Sequence, residues 1–181
     1  MILSDRELVE MLREPRTRRE GFAVLVKQYS EKLYWKVRRI VLSHEDANDV
    51  LQNVFIKVWS NLQNFQGKSS LSTWLYRIAI NESLDFLRKQ KQADKVSADE
   101  DVSVASRLMS DEYFDGDEVQ ARLQEAVARL PEVQRTVFNL KYFEEMKYSE
   151  MSQILNTSEG ALKASYHLAV KKITEYLHLF D

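Results

Sequence analysis

The sequence predicts an all-α protein, in which two small helical domains are joined by an acidic linker. Only 4 glycines and 2 prolines occur in 181 residues, which leaves few turns for a β-sandwich or a β-barrel. Apolar residues recur at intervals of three and four over most of the chain, the spacing that places them on one side of a helix. The distribution of charge then separates these helices into two groups.

Charged residues are unevenly distributed, although the net charge of the whole chain is only −2. Residues 1–91 carry 16 Lys and Arg against 11 Asp and Glu, a net charge of +5. Residues 92–118 carry 2 against 9, a net charge of −7, and residues 119–181 carry 8 against 8. We therefore predict a mildly basic domain at 1–91, a flexible acidic linker at 92–118 with a short helical patch around Val104–Met109, and a neutral domain at 119–181.

The first domain begins with a short helix and a long one. Ser4 and Glu7 have the spacing of a capping box, and Pro15 interrupts the short helix that they begin. A second helix is predicted from about Arg18 to Leu42. Its buried side is expected to consist of Phe22, Leu25, Val26, Tyr29, Leu33 and Val37.

Two further helices are predicted on either side of a polar loop at 61–70. Ser43 is the expected N-cap of the third helix, with Asp46 at the third helical position. Its apolar stripe consists of Ala47, Val50, Leu51, Val54, Phe55, Val58 and Leu62. The fourth helix begins at Ser70 or Ser72 and reaches about Lys91. Its expected buried residues are Leu71, Trp74, Leu75, Ile78, Ala79 and Phe86.

The second domain is predicted to be helical, with breaks near Leu130-Pro131 and at 156–158, where it has the pattern of a helix-turn-helix. A short helix over Ser149–Leu155 buries Met151, Ile154 and Leu155, and a longer helix follows Ser158, its expected cap. The apolar stripe of the longer helix is Leu162, Tyr166, Ala169, Val170, Ile173 and Leu177. The opposite face presents Gly160, Lys163, Ala164, His167 and Lys171. Periodicity alone leaves a plain helical hairpin open, and a net charge of zero is unusual for a self-sufficient DNA-binding domain.

Three sequence runs resemble a known family. The run DANDVLQNVFIKVW at 46–59 resembles region 2.2 of bacterial sigma factors. The run STWLYRIAIN at 72–81, followed by Asp85, Arg88 and Lys89, resembles regions 2.3 and 2.4. The runs LPEVQR at 130–135 and EGALK at 159–163 resemble region 4. Two such domains without a region 3 between them are the layout of the extracytoplasmic-function (group 4) sigma factors of the sigma-70 family.

The resemblance implies a transcription initiation factor that binds core RNA polymerase at its clamp and flap and directs it to promoter DNA. In the first domain it implies polymerase-binding residues on the outer side of the third helix, namely Asp46, Asp49, Gln52, Asn53 and Lys57. It implies that the loop and the fourth helix recognise and melt the minus-ten element through Asn64, Phe65, Gln66, Gly67, Lys68, Arg77, Asn81, Arg88 and Lys89. Asn81 is the preferred base reader, because an amide can read the edge of a melted base.

In the second domain the resemblance implies recognition of the minus-thirty-five element by Ser158, Glu159, Gly160, Lys163, Ala164, His167 and Lys171. The chain has Ser165, Leu168 and Val170 where the family commonly has basic residues, which lowers the expected number of phosphate contacts. The family also implies a monomer in the cytoplasm and an anti-sigma partner. The acidic linker would thread through the polymerase near the RNA path, although a plain solvated spacer stays open.

Several side chains have an ordinary structural alternative to these roles. Asp85 and Arg88 are spaced for a surface ion pair, and Trp59 and Trp74 are expected mainly to pack internally. His44, His167 and His178 are far apart in the sequence and there is no cysteine, so neither a metal site nor any other cofactor is expected. No sequence pattern of an enzyme occurs, and no apolar run approaches the length of a membrane span.

Two other functions remain open at this point. A conventional helix-turn-helix regulator would bind duplex DNA without polymerase, as a symmetric dimer on two half-sites. A helical interaction protein would use the hairpin only for docking and would show no salt-dependent affinity for DNA.

Overall fold

A computed structural model describes residues 2–93 and 116–180 of the chain, which divides into compact units at 1–95 and 96–181. The first unit contains α1 (Asp5–Arg13), α2 (Arg18–Val41), α3 (His44–Asn61) and α4 (Leu71–Ala93), with a 3-10 turn at Leu62–Asn64. The second contains α5 (Glu118–Ala128), α6 (Glu132–Phe138), α7 (Tyr148–Leu155) and α8 (Glu159–Leu177), with a π-helical turn at Asn139–Phe143 and a 3-10 turn at His178–Phe180. Helices and turns account for all regular structure in the described ranges, so the all-α prediction is confirmed.

The predicted caps of the first unit are present. The backbone N–H of Glu7 donates to Ser4 Oγ at 3.3 Å, and the N–H of Ser4 donates to Glu7 Oε2 at 2.8 Å. The N–H of Asp46 donates to Ser43 Oγ at 3.3 Å, which fixes the start of α3. Helix α2 ends one residue before Leu42, because that residue has a left-handed φ of 69° that cannot continue the helix.

The core of the first unit forms where α2 packs against α1, α3 and α4. The fully or almost fully buried residues include most of the predicted stripes of α2, α3 and α4, which are Leu25, Tyr29, Leu33, Val37, Ala47, Val50, Val54, Val58, Leu71, Leu75 and Ala79. The sequence analysis missed Ile80, Ser83 and Leu87, which are also buried. Ser83 is tolerated there because its hydroxyl donates to the carbonyl of Ala79 at 2.8 Å.

The short helix α1 is fixed to this core along its whole length. Leu8 and Leu12 are buried, and the hydroxyl of Tyr29 donates to Asp5 at the first turn. The side chain of Gln28 binds both backbone groups of Leu3, at 3.1 and 2.9 Å. Helix α1 is therefore a part of the first unit. Its buried leucines hold one side of the helix, and hydrogen bonds hold its first turn.

The core of the second unit forms between α5, α6 and α8. Its buried cluster consists of Ala126, Val127, Leu130, Phe138, Ala169 and Ile173. The ring of Phe138 stacks on Tyr142 of the π-helical turn at 5.0 Å and on Tyr166 of α8 at 5.9 Å. This π-helical turn was not predicted, since the run NLKYF at 139–143 has no glycine or proline to mark a break.

Three predictions at the level of the elements need correction or fall outside the described residues. Val170 is 38% exposed and does not belong to the buried stripe, because Ala169 takes that position. The predicted loop at 61–70 begins only at Phe65, since α3 and the 3-10 turn continue to Asn64 and bury Leu62. Most of the predicted linker, with its helical patch at Val104–Met109, lies outside the described residues.

A close contact at Gly21 leads to a test of how α1 is held. A Cβ added to Gly21 would lie 2.8 Å from Met11 Cβ, and the backbone of Leu12 is also near. Gly21→Ala must therefore push α1 away from α2, and we expect a loss of about 1–3 kcal/mol in the free energy of unfolding. Urea denaturation followed by circular dichroism measures this loss.

Gly160→Ala is the matched control, because no atom lies within 4 Å of a Cβ built on this helical glycine. It should be neutral or slightly stabilising. Equal losses in the two variants would show that the contact between α1 and α2 is not the cause.

Candidate protein and nucleic-acid interfaces

The outer face of α3 carries most of the residues predicted to bind a protein partner. Asp49, Gln52 and Asn53 are exposed, whereas Asp46 is half-buried at the capped first turn. Lys57 is also exposed, but its ammonium group forms an ion pair with Glu82 of α4. Lys57 therefore contributes to the contact between two helices, and the acidic and amide side chains form the free part of the face.

Two large apolar side chains lie among these polar residues. Ile56 is 63% exposed and follows Asp49 by seven residues and Gln52 by four, which puts all three on one side of α3. Trp59 is 42% exposed and packs edge-on against Phe22 at 5.0 Å, so its expected internal packing is only partly found. An apolar centre with a polar surround is the usual anatomy of a protein interface. Ile56 was not among the predicted interface residues. Hydrophobic periodicity identifies the buried stripe of α3 and says nothing about the role of an apolar residue outside that stripe.

The loop before α4 presents the first part of the predicted minus-ten set. Asn64, Gln66, Gly67 and Lys68 are exposed, and the half-buried ring of Phe65 packs on Trp74 at 5.0 Å. Gly67 has φ +70°, a conformation that other residues rarely adopt. The aromatic contact and the glycine together fix the course of an otherwise polar loop.

The side chains of α4 that were predicted to contact DNA differ in their surroundings. Asn81 is exposed, and so are Arg88 and Lys89. Arg88 forms an exposed ion pair with Asp85 at 2.6 Å, which is the structural alternative expected for these two residues. Arg77 is half-buried, and its Nε has no hydrogen-bond partner in the part of the chain that the structure describes.

A cationic group on α2 lies against the same helix, and the sequence analysis missed it. The Nζ of Lys36 lies 4.0 Å from the centre of the Tyr76 ring, a cation–π contact between α2 and α4. Burial, together with the positive charges of Arg39 and Lys32, lowers the pKa of Lys36 to about 8. The spacing of these cations along α2 was visible in the sequence, but their proximity to α4 depends on the packing.

The helix-turn-helix has the predicted form. Helix α7 ends at Leu155, because the next residue, Asn156, has a left-handed φ of 49°. Ser158 caps α8 by accepting from the N–H of Ala161 at 3.3 Å. The outer side of α8 exposes the predicted residues Glu159, Gly160, Lys163, Ala164, His167 and Lys171. Lys163 lies 5.6 Å from the Tyr148 ring, and Lys171 has a weak contact of 3.9 Å with Glu175. Leu168 and Val170 lie exposed on the same helix.

His44 accepts or donates in bonds to Tyr34 at 2.7 Å and Asn48 at 3.0 Å, so it has a structural role at the start of α3. Within residues 2–93 and 116–180, no group of three His, Cys, Asp or Glu side chains is arranged to hold a metal ion. In the same ranges, no helix combines the length and the apolar character needed to span a membrane.

Comparison with known proteins identifies both units. The family model of Sigma-70 region 2 matches residues 25–93, and the model of Sigma-70 region 4 matches residues 120–173. The ECF RNA polymerase sigma factor SigW of Bacillus subtilis is 32% identical over 157 residues, covering 82% of this chain and 84% of that protein. The RNA polymerase sigma-H factor of Pseudomonas aeruginosa is 30% identical over 182 residues, covering 96% and 93%.

Solved structures share the fold. The sigma factor RpoE from Bartonella quintana, solved in complex with the anti-sigma factor NepR, has a TM-score of 0.71 and 21% identity, covering 88% of this chain and 98% of that one. CnrH, solved with the cytosolic domain of CnrY, has a TM-score of 0.65 and 22% identity, covering 98% and 99%.

The environment of Lys36 predicts a pH titration near neutrality. Its amine should lose its proton with a midpoint near pH 8, because burial and neighbouring cations disfavour the charged form. Arg39→Gln removes one of those positive charges and should move the midpoint upward. The Cε resonance of Lys36, followed by NMR as a function of pH, measures both values. An unchanged midpoint in the variant would show that Arg39 has no part in the shift.

Proposed function

Because this chain belongs to the extracytoplasmic-function group of sigma-70 factors, we propose that its units divide promoter recognition between them. The protein is a transcription initiation factor that directs core RNA polymerase to specific promoters. We propose that the first unit, about residues 1–91, binds polymerase and melts the minus-ten element, and that the second, about 119–181, reads the minus-thirty-five element. The observation that carries this division is the order of the two family matches, region 2 before region 4.

The proposed polymerase contact is the outer face of α3. Asp49, Gln52 and Asn53 supply acceptors for a basic partner surface, and Ile56 supplies apolar area that only a partner can bury. Asp46 and Lys57 complete the proposed set of polymerase-binding residues and lie at the edges of this face. The charge and amide groups determine orientation, while burial of Ile56 adds a favourable apolar contribution to binding.

The proposed minus-ten contact joins the loop before α4 to the exposed side of that helix. A melted base needs a pocket wall, which Asn64–Lys68 provides, and a group that reads its edge, which is the amide of Asn81. Arg77, Arg88 and Lys89 place the strand through its phosphates. The exposed Asp85–Arg88 ion pair contributes little stability, so Arg88 can exchange Asp85 for a phosphate at small cost.

The proposed minus-thirty-five contact is the outer side of α8. Lys163 and His167 reach base edges, and the capped helix N-terminus at Ser158 faces a phosphate. Glu159, Gly160, Ala164 and Lys171 complete the proposed surface. A unit with no net charge gains little from the phosphate backbone, so this unit is proposed to read DNA only when polymerase holds it there.

The remaining properties follow from the family and are proposals for this chain. The protein acts without a cofactor or chemistry of its own, as a monomer in the cytoplasm, where promoters and polymerase are found. An anti-sigma factor is the proposed regulator, since RpoE was solved with the anti-sigma factor NepR and CnrH with the cytosolic domain of CnrY. The dimeric regulator is not favoured, because a stand-alone helix-turn-helix protein has no need of a region 2 unit.

The first test is binding to purified core RNA polymerase, followed by run-off transcription from fragmented genomic DNA. Tight binding with new, discrete start sites supports the proposal, and alignment of those sites gives both promoter elements. Specific binding to duplex DNA without polymerase, together with no binding to a well-matched core enzyme, would support the dimeric regulator instead.

Asn81→Ala tests the proposed base reader. The variant should open promoters about tenfold more slowly, because a side-chain contact to a base contributes about 1–3 kcal/mol. Its affinity for core polymerase should be unchanged, since Asn81 lies on α4 and not on α3. Permanganate reactivity of melted thymines measures opening. Gln92→Ala, which removes another exposed amide from α4, is the control and should open promoters normally. A parallel loss of polymerase affinity in Asn81→Ala would refute the role of Asn81 as a base reader.

The double variant Asp49→Ala with Gln52→Ala tests the polymerase face. We expect affinity for core polymerase to fall by about three- to tenfold, because two exposed polar contacts of up to about 1 kcal/mol each are removed. Fluorescence anisotropy measures the affinity, and circular dichroism should show an intact fold. Glu31→Ala removes an exposed carboxylate from α2 as a control. If the control loses as much as the double variant, the interface lies elsewhere.

A further inference from the structure

The segment from the end of α1 to the start of α2 contains four arginines, one of which has a structural role. The sequence from 13 to 19 is REPRTRR. Arg18 donates from Nε to the carbonyl of Leu12 at 3.0 Å and from Nη2 to the carbonyl of Arg13 at 3.3 Å. These carbonyls belong to the last turn of α1 and have no partner within the helix. Arg18 therefore stabilises the end of α1, and that contact leaves three arginines without a structural explanation.

The other three arginines are exposed. Across residues 2–93 and 116–180, the guanidinium groups of Arg13, Arg16 and Arg19 form neither a hydrogen bond nor an ion pair. The two carboxylates of the same turn, Glu14 and Glu20, are exposed as well and do not pair with them. Three neighbouring cations without acceptors repel one another, so the site favours an anion from outside the unit.

Arg13 is singled out among these three by its position. A Cβ built on Gly67 would lie 3.5 Å from Arg13 Nη2, so the guanidinium lies close to Gly67 in the loop before α4. Gly67 itself turns the loop through its positive φ. Arg13 follows the buried Leu12, so its backbone is fixed by the core. The guanidinium of Arg13 thus lies beside the loop Asn64–Lys68 without a hydrogen-bond acceptor among the described residues.

We propose that Arg13 binds a backbone phosphate of the unpaired minus-ten strand where the strand passes the loop Asn64–Lys68. This inference rests on the proposed function of that loop. Rotation of a base out of the stack turns its sugar and phosphate toward the rim of the pocket that receives the base. The planar guanidinium can bind two phosphate oxygens at once, which fixes the strand more firmly than the single ammonium group of Lys68.

Arg13 lies outside the part of the chain that the family comparison describes. The matched model of region 2 begins at residue 25, after α1 and the arginine-containing turn. The phosphate contact therefore adds a residue from α1 to a site otherwise composed of the loop and α4. Because α1 packs on α2, this contact joins the first helix of the unit to the DNA that the last helix reads.

The test uses holoenzyme, assembled from core polymerase and the full chain, and a fluorescent single-stranded oligonucleotide. The oligonucleotide carries the minus-ten sequence that the run-off start sites define. Arg13→Ala should weaken binding about tenfold and reduce the slope of log K against log salt by about 0.7, the value for one phosphate contact on a single strand. Arg13→Lys should keep the salt slope and recover part of the affinity, because it retains the charge but loses the paired hydrogen bonds.

Arg6→Ala is the matched control. Arg6 is an exposed arginine on the same helix, pairs with Glu10 at 3.2 Å, and should bind DNA like the wild type. Replacement of single phosphates by neutral methylphosphonates then locates the contact. At one phosphate position, the methylphosphonate should weaken DNA binding by holoenzyme with the wild-type chain. The same replacement should cause no further loss of binding in Arg13→Ala.

Several results would overturn the proposal. A wild-type salt slope in Arg13→Ala, or an equal loss in Arg6→Ala, would exclude a specific phosphate contact. Lower affinity of Arg13→Ala for core polymerase, with unchanged DNA binding, would assign Arg13 to a carboxylate of the polymerase. Failure of the proposed function gives a different result: scrambled and minus-ten oligonucleotides would bind holoenzyme equally well, whatever the salt slope of Arg13→Ala.

Discussion

The buried stripe of α2 is the constraint on which the first unit depends. Leu25, Tyr29, Leu33 and Val37 face inward along a helix of 24 residues, and α1, α3 and α4 all pack against it. Each of the three outer helices buries one side and presents the other. The backbones of α1, α3 and α4 therefore hold fixed positions relative to one another, because none of these helices can move without opening the same core.

Much of this arrangement was predictable from the sequence, since the relevant signals are local. Helical spacing identified the buried stripes, and Ser4, Ser43 and Ser158 identified three helix starts that all have the expected capping bonds. The wrong prediction for Val170 arose where two adjacent residues both fit the apolar spacing of one helical turn. Val170 and Ala169 are neighbours that both fit an apolar stripe, and the smaller residue occupies the interface where α8 approaches the other helices closely.

The candidate surfaces were less predictable, because they depend on which residues the packing brings together. Ile56 lies outside the predicted apolar stripe of α3, but only the fold shows that its side chain is 63% exposed. Lys36 and Tyr76 are 40 positions apart, and Arg13 and Gly67 are 54 positions apart, so no local pattern connects them. The arginines at 13–19 were visible in the sequence, but only the proximity of Arg13 to Gly67 distinguishes one of them from the rest.

The ion pair between Lys57 and Glu82 has a mechanical consequence. Lys57 lies at the edge of the face proposed to meet polymerase, and Glu82 is the residue next to Asn81 in α4. The two helices also pack directly on each other, so a tilt of α3 would carry α4 with it. If α3 docks on polymerase and Asn81 reads the strand as proposed, the docking angle of α3 would also set the angle between Asn81 and the DNA.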